Sequence, residues 1–147
     1  MEDRYLFKAK RKDNGQWVKG AVLFHDADAA TIFNQHPADG SLQGFEVDPS
    51  TICQCTGLKD KTGNLIWEND IVEFKVYYWE KLEQSTISQV KWCDELCSLS
   101  IIVNDRGTRG TLGHLLDENK EIEVLGNVFD NPELLESEEK WCEYDRE

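Results

Sequence analysis

Apolar and polar positions alternate along most of the chain, and helical spacing is confined to its end. In "RYLFKAKRKDNGQWVKGAVLF", residues 4–24, two alternating runs flank Asp13-Asn14-Gly15. Asn-Gly readily takes the positive φ values that tight turns need, so the stretch predicts two strands joined as a hairpin. The next segment, "HDADAATIFNQHPADGSLQGFEVDPST", is dense in Gly, Pro and Asp. It reads as loop with a helical turn after Asp28 and one strand at 45–47. From Thr51 come "ICQC" and "TGLKDKTGNLIWENDIVEF", where Gly57 and Gly63 supply backbone freedom and Lys59-Asp60-Lys61 form a polar tip. The apolar runs Leu65-Ile66-Trp67 and Ile71-Val72-Glu73-Phe74 then predict strands, continued by "EFKVYYWEKL", "ISQVKWC" and "LSIIV" around the acidic turn Asp94-Glu95. Several short strands with brief turns suit a barrel.

Beyond "NDRGTRGT", the segment "LGHLLDENK" predicts one or two helical turns with Leu115 and Leu116 facing inward. Residues 121–129 alternate as a strand through Ile122, Val124 and Val128. Asn131 then caps a helix with Pro132 at its first position and Glu133 at the positive end of the dipole; Leu134, Leu135, Trp141 and Cys142 mark its apolar stripe. No repeat of fixed period is present.

Composition narrows the function classes. The 147 residues fit one domain or two small ones, and 29 acidic against 16 basic residues give a net charge of −13. On average such a chain repels phosphate backbones and anionic lipid, so no direct nucleic-acid or membrane partner is expected. The first residues, Met-Glu-Asp-Arg, carry neither an export nor a lipidation signal, which leads to an expected cytoplasmic location. Five cysteines, an odd number, favour reduced thiols over a disulfide framework.

Three blocks carry a resemblance. "RYLFKAKRKDNGQWVKG", "DPSTICQCTGLKDKTGNLIWENDIVEF" and "EVLGNVFDNPELL" resemble, in that order, the YopX family of phage and prophage proteins. Gln54, Thr56, Gly57, Leu58, Lys59, Asp60, Gly63, Ile66, Asp70, Ile71 and Val72 fit its central motif, and Gly126, Asn127, Asn131, Pro132, Glu133 and Leu134 its late one. Cys55 stands where an aromatic is usual and Asn69 where glycine is usual; Asn tolerates the left-handed conformation, so the turn survives. Residues 21–43 and 76–110 match only in character. The resemblance implies a mainly-β protein: a small N-terminal β segment, 1–50, then an SH3-type barrel with a short C-terminal helix, 51–147. It implies a phage or mobile-element context and no established biochemical activity.

Candidate chemistry is sparse. Cys53 and Cys55 with Cys93 and Cys97 offer four thiolates, but neither pair has the two-residue spacing common in zinc knuckles, and alternation equally suits a core. His25, His36 and His114 are scattered, with no activated nucleophile beside them. The pairs Asp26/Asp28, Glu68/Asp70 and Asp94/Glu95 read as turn residues, and Asp60 and Asp70 as acceptors of backbone hydrogen bonds. Arg106 and Arg109 lie in a glycine-rich stretch without phosphate-loop spacing. No catalytic residue, metal or cofactor is therefore expected. The three consecutive aromatics Tyr77, Tyr78 and Trp79 cannot all enter one core, which makes them the candidate partner-binding residues.

These readings favour a non-enzymatic module that binds a protein partner or its own copies. A narrower alternative is an acidic DNA mimic that occupies a host nucleic-acid-binding enzyme, which requires carboxylates arrayed on one surface. Metal-assisted or nucleotide-processing catalysis ranks last, resting on the acidic pairs and the arginine loop alone.

Overall fold

The structure, a computed structural model, describes residues 5–103, 107–113, 115 and 120–135, with the side chain of residue 83 excepted. The protein is mainly β. The strands are β1 Phe7–Lys10, β2 Trp17–Asp26, β3 Ala29–Gln35, β4 Leu42–Val47, β5 Cys53–Lys59, β6 Leu65–Trp67 and β7 Asp70–Tyr78, followed by β8 Lys81–Gln89, β9 Lys91–Cys93, β10 Ser98–Ile102, β11 Arg109–Thr111 and β12 Lys120–Asn127. A 3-10 turn at Pro49–Thr51 precedes β5. Two compact units form, Met1–Gly57 and Leu58–Glu147.

In the first unit the strands lie in the order β4-β3-β2-β1-β5, all antiparallel. The expected first hairpin is present, with Lys10 opposite Trp17 and Gly15 at φ +72°. The segment expected as loop with a helical turn after Asp28 is instead a β2–β3–β4 meander, β3 occupying the place of the turn, and the expected strand at 45–47 is the second half of β4. Its aspartates are turn-makers: Asp26 Oδ1 accepts from Asp28 N, and Asp39 Oδ1 accepts from both Ser41 N and the Ser41 hydroxyl. Between those turns, Ala30 and Ile32 alternate into a small core with Ala9 and Val47, packed by Val18, Val22 and Ile52. The unit extends into β5, as far as Gly57, because β5 pairs with β1, Phe7 opposite Gln54 and Lys8 opposite Cys53.

The second unit holds two three-stranded sheets, β12-β7-β8 and β11-β10-β9. Ile66, Val72, Phe74, Val90, Ile101, Leu112, Leu115 and Ile122 form its buried core. Buried Val90 separates β8 from β9, so one run of chain leaves the first sheet and enters the second. These sheets are not closed into a barrel. Near β10, side chains of β8 do what a ladder would: Ile102 N donates to Ser88 Oγ at 2.9 Å, and Thr86 Oγ1 and Gln84 Nε2 both donate to the Val103 carbonyl. A hydroxyl interposed between strands satisfies the backbone and also holds the strands too far apart for direct pairing.

Leu112 and Leu115 are buried in turn conformation, while His114 and Leu116 lie outside the described residues. A short helix begins at 133–135, after Asn131 and Pro132; Trp141 and Cys142 lie outside the described residues.

Gly20 on β2 has no room for a side chain, since a Cβ there would stand 2.1 Å from the Phe33 carbonyl oxygen. Gly20→Ala is expected to destabilise the protein by about 3 kcal/mol, the upper range for overpacking against backbone, read as a lowered midpoint in urea.

Candidate functional site

The motif residues that carry the family resemblance build turns. Asp60, 6% exposed, follows β5, and its Oδ1 accepts from Thr62 N, the Thr62 hydroxyl and Asn64 N at 2.9, 2.7 and 2.9 Å. Its Oδ2 accepts from Val124 N on β12 at 2.9 Å. Burial alone raises the Asp60 pKa; the hydrogen bonds from Val124 N, the Thr62 hydroxyl and the Asn64 and Thr62 amides outweigh it and leave the carboxyl below its ordinary value.

Asn69 takes φ +71°, the left-handed conformation in which asparagine replaces glycine. It joins three segments: Asn69 N donates to Val90 O, its carbonyl accepts from Val128 N, and its side-chain oxygen accepts from Gln89. Asp70 Oδ2 closes the turn by accepting from Trp67 N at 2.8 Å. At the end of β12, Asn127 Oδ1 accepts from the amides of Phe129 and Asp130, while Asn131 Oδ1 accepts from Asn127 N. Gly126 is bare because a Cβ would stand 2.3 Å from Asn131 Oδ1.

The sequence-level chemical candidates stay apart. Cys53 and Cys55 are buried, Cys93 is half-buried and Cys97 is exposed. Among the described residues no group of three or more His, Cys, Asp and Glu side chains gathers to hold a metal. His25 bonds Thr31 Oγ1, His36 Nδ1 accepts from Ala38 N, and Asp94 accepts from the Trp92 indole. Arg109 donates to Ser100 Oγ, whereas Arg106 lies outside the described residues.

The three aromatics part ways. Tyr77 is half-buried and donates its hydroxyl to Glu121 Oε2 at 3.3 Å. Tyr78 pairs with Lys81, closing a two-residue turn in which Trp79 and Glu80 have φ of +51° and +65°. Two positive values define the primed turn that suits β twist, which normally calls for Asn or Gly. Trp79 is 84% exposed and Tyr78 64%, and their rings meet edge to face with centroids 5.9 Å apart. Leu82, opposite Tyr77 and 48% exposed, adds apolar surface that the sequence reading missed. Alternation across a two-residue turn would have placed it near the aromatics, had the turn position been known.

The YopX protein family matches residues 6–136. The chain belongs to the YopX family. The crystal structure of YopX from Bacillus subtilis is similar in fold, with TM-score 0.60 at 20% identity, covering 89% of this chain and 98% of that one. No curated protein matches the chain. The motif residues Asp60, Asp70, Gly126 and Asn127 are turn-makers in this geometry, and Asn69, where glycine is usual, keeps the left-handed turn.

Two outcomes follow. Asp60→Ala removes the acceptor of the Thr62, Asn64 and Val124 amides and is expected to cost about 3 kcal/mol at neutral pH. A depressed folded pKa gives stabilisation that is complete above the ordinary carboxylate value, about 4, and lost as pH falls through the folded pKa. The gap between wild type and Asp60→Ala in urea should accordingly narrow in acid. Trp79→Gly, by contrast, removes a bulky residue from the left-handed region and is expected to leave stability unchanged or raise it by up to about 1 kcal/mol in the same assay.

Proposed function

We propose that this YopX-family protein is a non-enzymatic accessory module of a phage or prophage that docks on a protein partner through the β7–β8 tip, with Tyr78 and Trp79 as anchors. The observation that carries the reading is Trp79: a large aromatic, 84% exposed, at a position whose backbone disfavours it. A residue that costs the fold conformational energy and gains no burial has its use outside the fold. Trp and Tyr are the side chains that most often dominate interface energies, because each buries a large rigid surface at low entropic cost. Tyr77, bonded to Glu121, supports the hairpin from within.

The second unit fits the SH3-type expectation as two small sheets linked through the bend at Val90. The DNA-mimic reading draws no support from β12 and its neighbours. Glu121 and Glu123 are both bridged by Lys61, at 3.2 and 3.1 Å, and Glu73 by Lys75. The hydrogen bonds that Lys61 donates to Glu123, first, and to Glu121 raise its pKa.

Affinity capture from a bacterial host lysate, run beside a Tyr78→Ala/Trp79→Gly variant of wild-type stability, tests the proposal. Loss of one defined partner, or of self-association in sedimentation, is the expected result. Equal capture and equal self-association by the variant would remove the hairpin tip from the account.

A further inference from the structure

The sheet of the first unit protects only half of its outer edge. β4 is the outermost strand, and its far end is met by the chain around the end of β1: Arg11 bridges Val47, Lys12 N donates to Glu46 O at 3.0 Å and Asp48 N to Lys10 O at 2.9 Å. The near end has no such cover. His36 N donates to Ser41 O, so by antiparallel alternation Gln43, Phe45 and Val47 turn their backbone groups to β3, while Leu42, Gly44 and Glu46 turn theirs outward. Glu46 is taken by Lys12; among the described residues the backbone groups of Leu42 and Gly44 meet no partner on that side.

Open edges are normally guarded by charge, proline or a bulge. Charged residues make up 31% of the chain, yet residues 42–45 include none, nor a proline, and the β3–β4 register runs without a shift. The side chains here form a knob and a seat, two residues apart on one face of the sheet. Leu42 is the knob, 73% exposed. Gly44 makes the seat: it is bare, and the Phe33 ring from β3 reaches across it, 2.9 Å from where a Cβ would stand.

We propose that two copies of the chain pair antiparallel through β4, about a twofold axis at Gln43. This axis joins both open residues: Leu42 of each copy faces Gly44 of the other, each such pair exchanging two hydrogen bonds. An axis at Gly44 would need the Glu46 carbonyl, already bonded to Lys12, and an axis at Leu42 would need Gly40, which lies in a turn with φ +72°. With the axis at Gln43, each Leu42 side chain settles beside the other copy's Phe33 ring, over Gly44. One contact is thereby made twice, as an isologous interface requires. Gln43 meets its own copy on the opposite face, and an amide, carrying both donors and an acceptor, is its own complement. Charge agrees with the arrangement. The turn carrying Asp39 arrives beside the other copy's Lys12, whose ammonium bonds Glu46 and the Asp28 carbonyl and has a third proton to donate. A strand from an unrelated protein would find the same open amides, but the matching leucine and glycine belong to a copy. This edge lies in the first unit and Tyr78 and Trp79 in the second, so the dimer and the docking tip are independent of one another.

An interface of this size is at the weak end of specific ones, so the test traps it covalently. In the full chain carrying Cys93→Ser, Cys97→Ser and Cys142→Ser, Gln43→Cys is oxidised with glutathione disulfide and followed on non-reducing gels. Non-hydrogen-bonded partners in an antiparallel pair have Cα atoms about 4.5 Å apart, within disulfide reach, so a covalent dimer is expected to form much faster than in urea. Leu42→Cys, displaced from the axis, is expected to cross-link much more slowly. Leu42→Glu added to Gln43→Cys is expected to slow trapping at least about tenfold, the loss of one apolar anchor, with the melting curve unchanged. Adding Tyr78→Ala/Trp79→Gly instead should leave the rate as it was. Trapping of Gln43→Cys no faster than in urea, an equal rate for Leu42→Cys, an undiminished rate with Leu42→Glu, or loss of the cross-link with Tyr78→Ala/Trp79→Gly would each overturn the proposal.

Discussion

Asp60 is the point on which the second unit turns. One carboxylate, almost fully withdrawn from water, gathers the amides of Thr62 and Asn64 from its own turn and that of Val124 from a strand 64 residues away. Local and long-range order therefore depend on the same two oxygen atoms. Burying a charge is unfavourable unless it is well solvated by donors, and here the donors are backbone groups that would otherwise have to find partners elsewhere. The turn after β5 and the placement of β12 are in this sense one structural decision.

The same economy recurs around it. Asn69 binds segments at Val90 and Val128 from a left-handed turn, and Asn127 and Asn131 close the end of β12. Polar side chains in this protein mostly serve backbone. That pattern accounts for a signature rich in Asp, Asn and Gly: the recognisable residues are those whose φ values or acceptor geometry few other residues supply. Trp79, the proposed anchor, lies outside the motif residues that carry the resemblance.

Legibility from sequence followed the range of the interaction. The Asn14-Gly15 hairpin, the acceptor roles of Asp60 and Asp70 and the left-handed Asn69 were readable because each is decided within a few residues. The strand β3 and the first half of β4 were hidden by Asp and Gly that mark their ends, since a turn-rich segment and a meander of short strands have the same composition; only 45–47 was read as strand. The separation of the second unit into two sheets was not readable, because Ser88 and Thr86 look like ordinary strand residues until their hydroxyls are seen to serve the backbone of Ile102 and Val103. Among the aromatics, the sequence showed that a surplus existed; which of them faced out depended on a two-residue turn that contains neither Asn nor Gly.

The continuity of β5 across the two units has a practical side. The strand begins in partnership with β1, and just before it the Thr51 hydroxyl accepts from the Lys10 amide. Division of the chain ahead of Thr51, the boundary that the resemblance implies, strips β1 of that neighbour and exposes unsatisfied amides and carbonyls. Such an edge recruits other strands, so a fragment truncated there would tend to aggregate even with its small core intact.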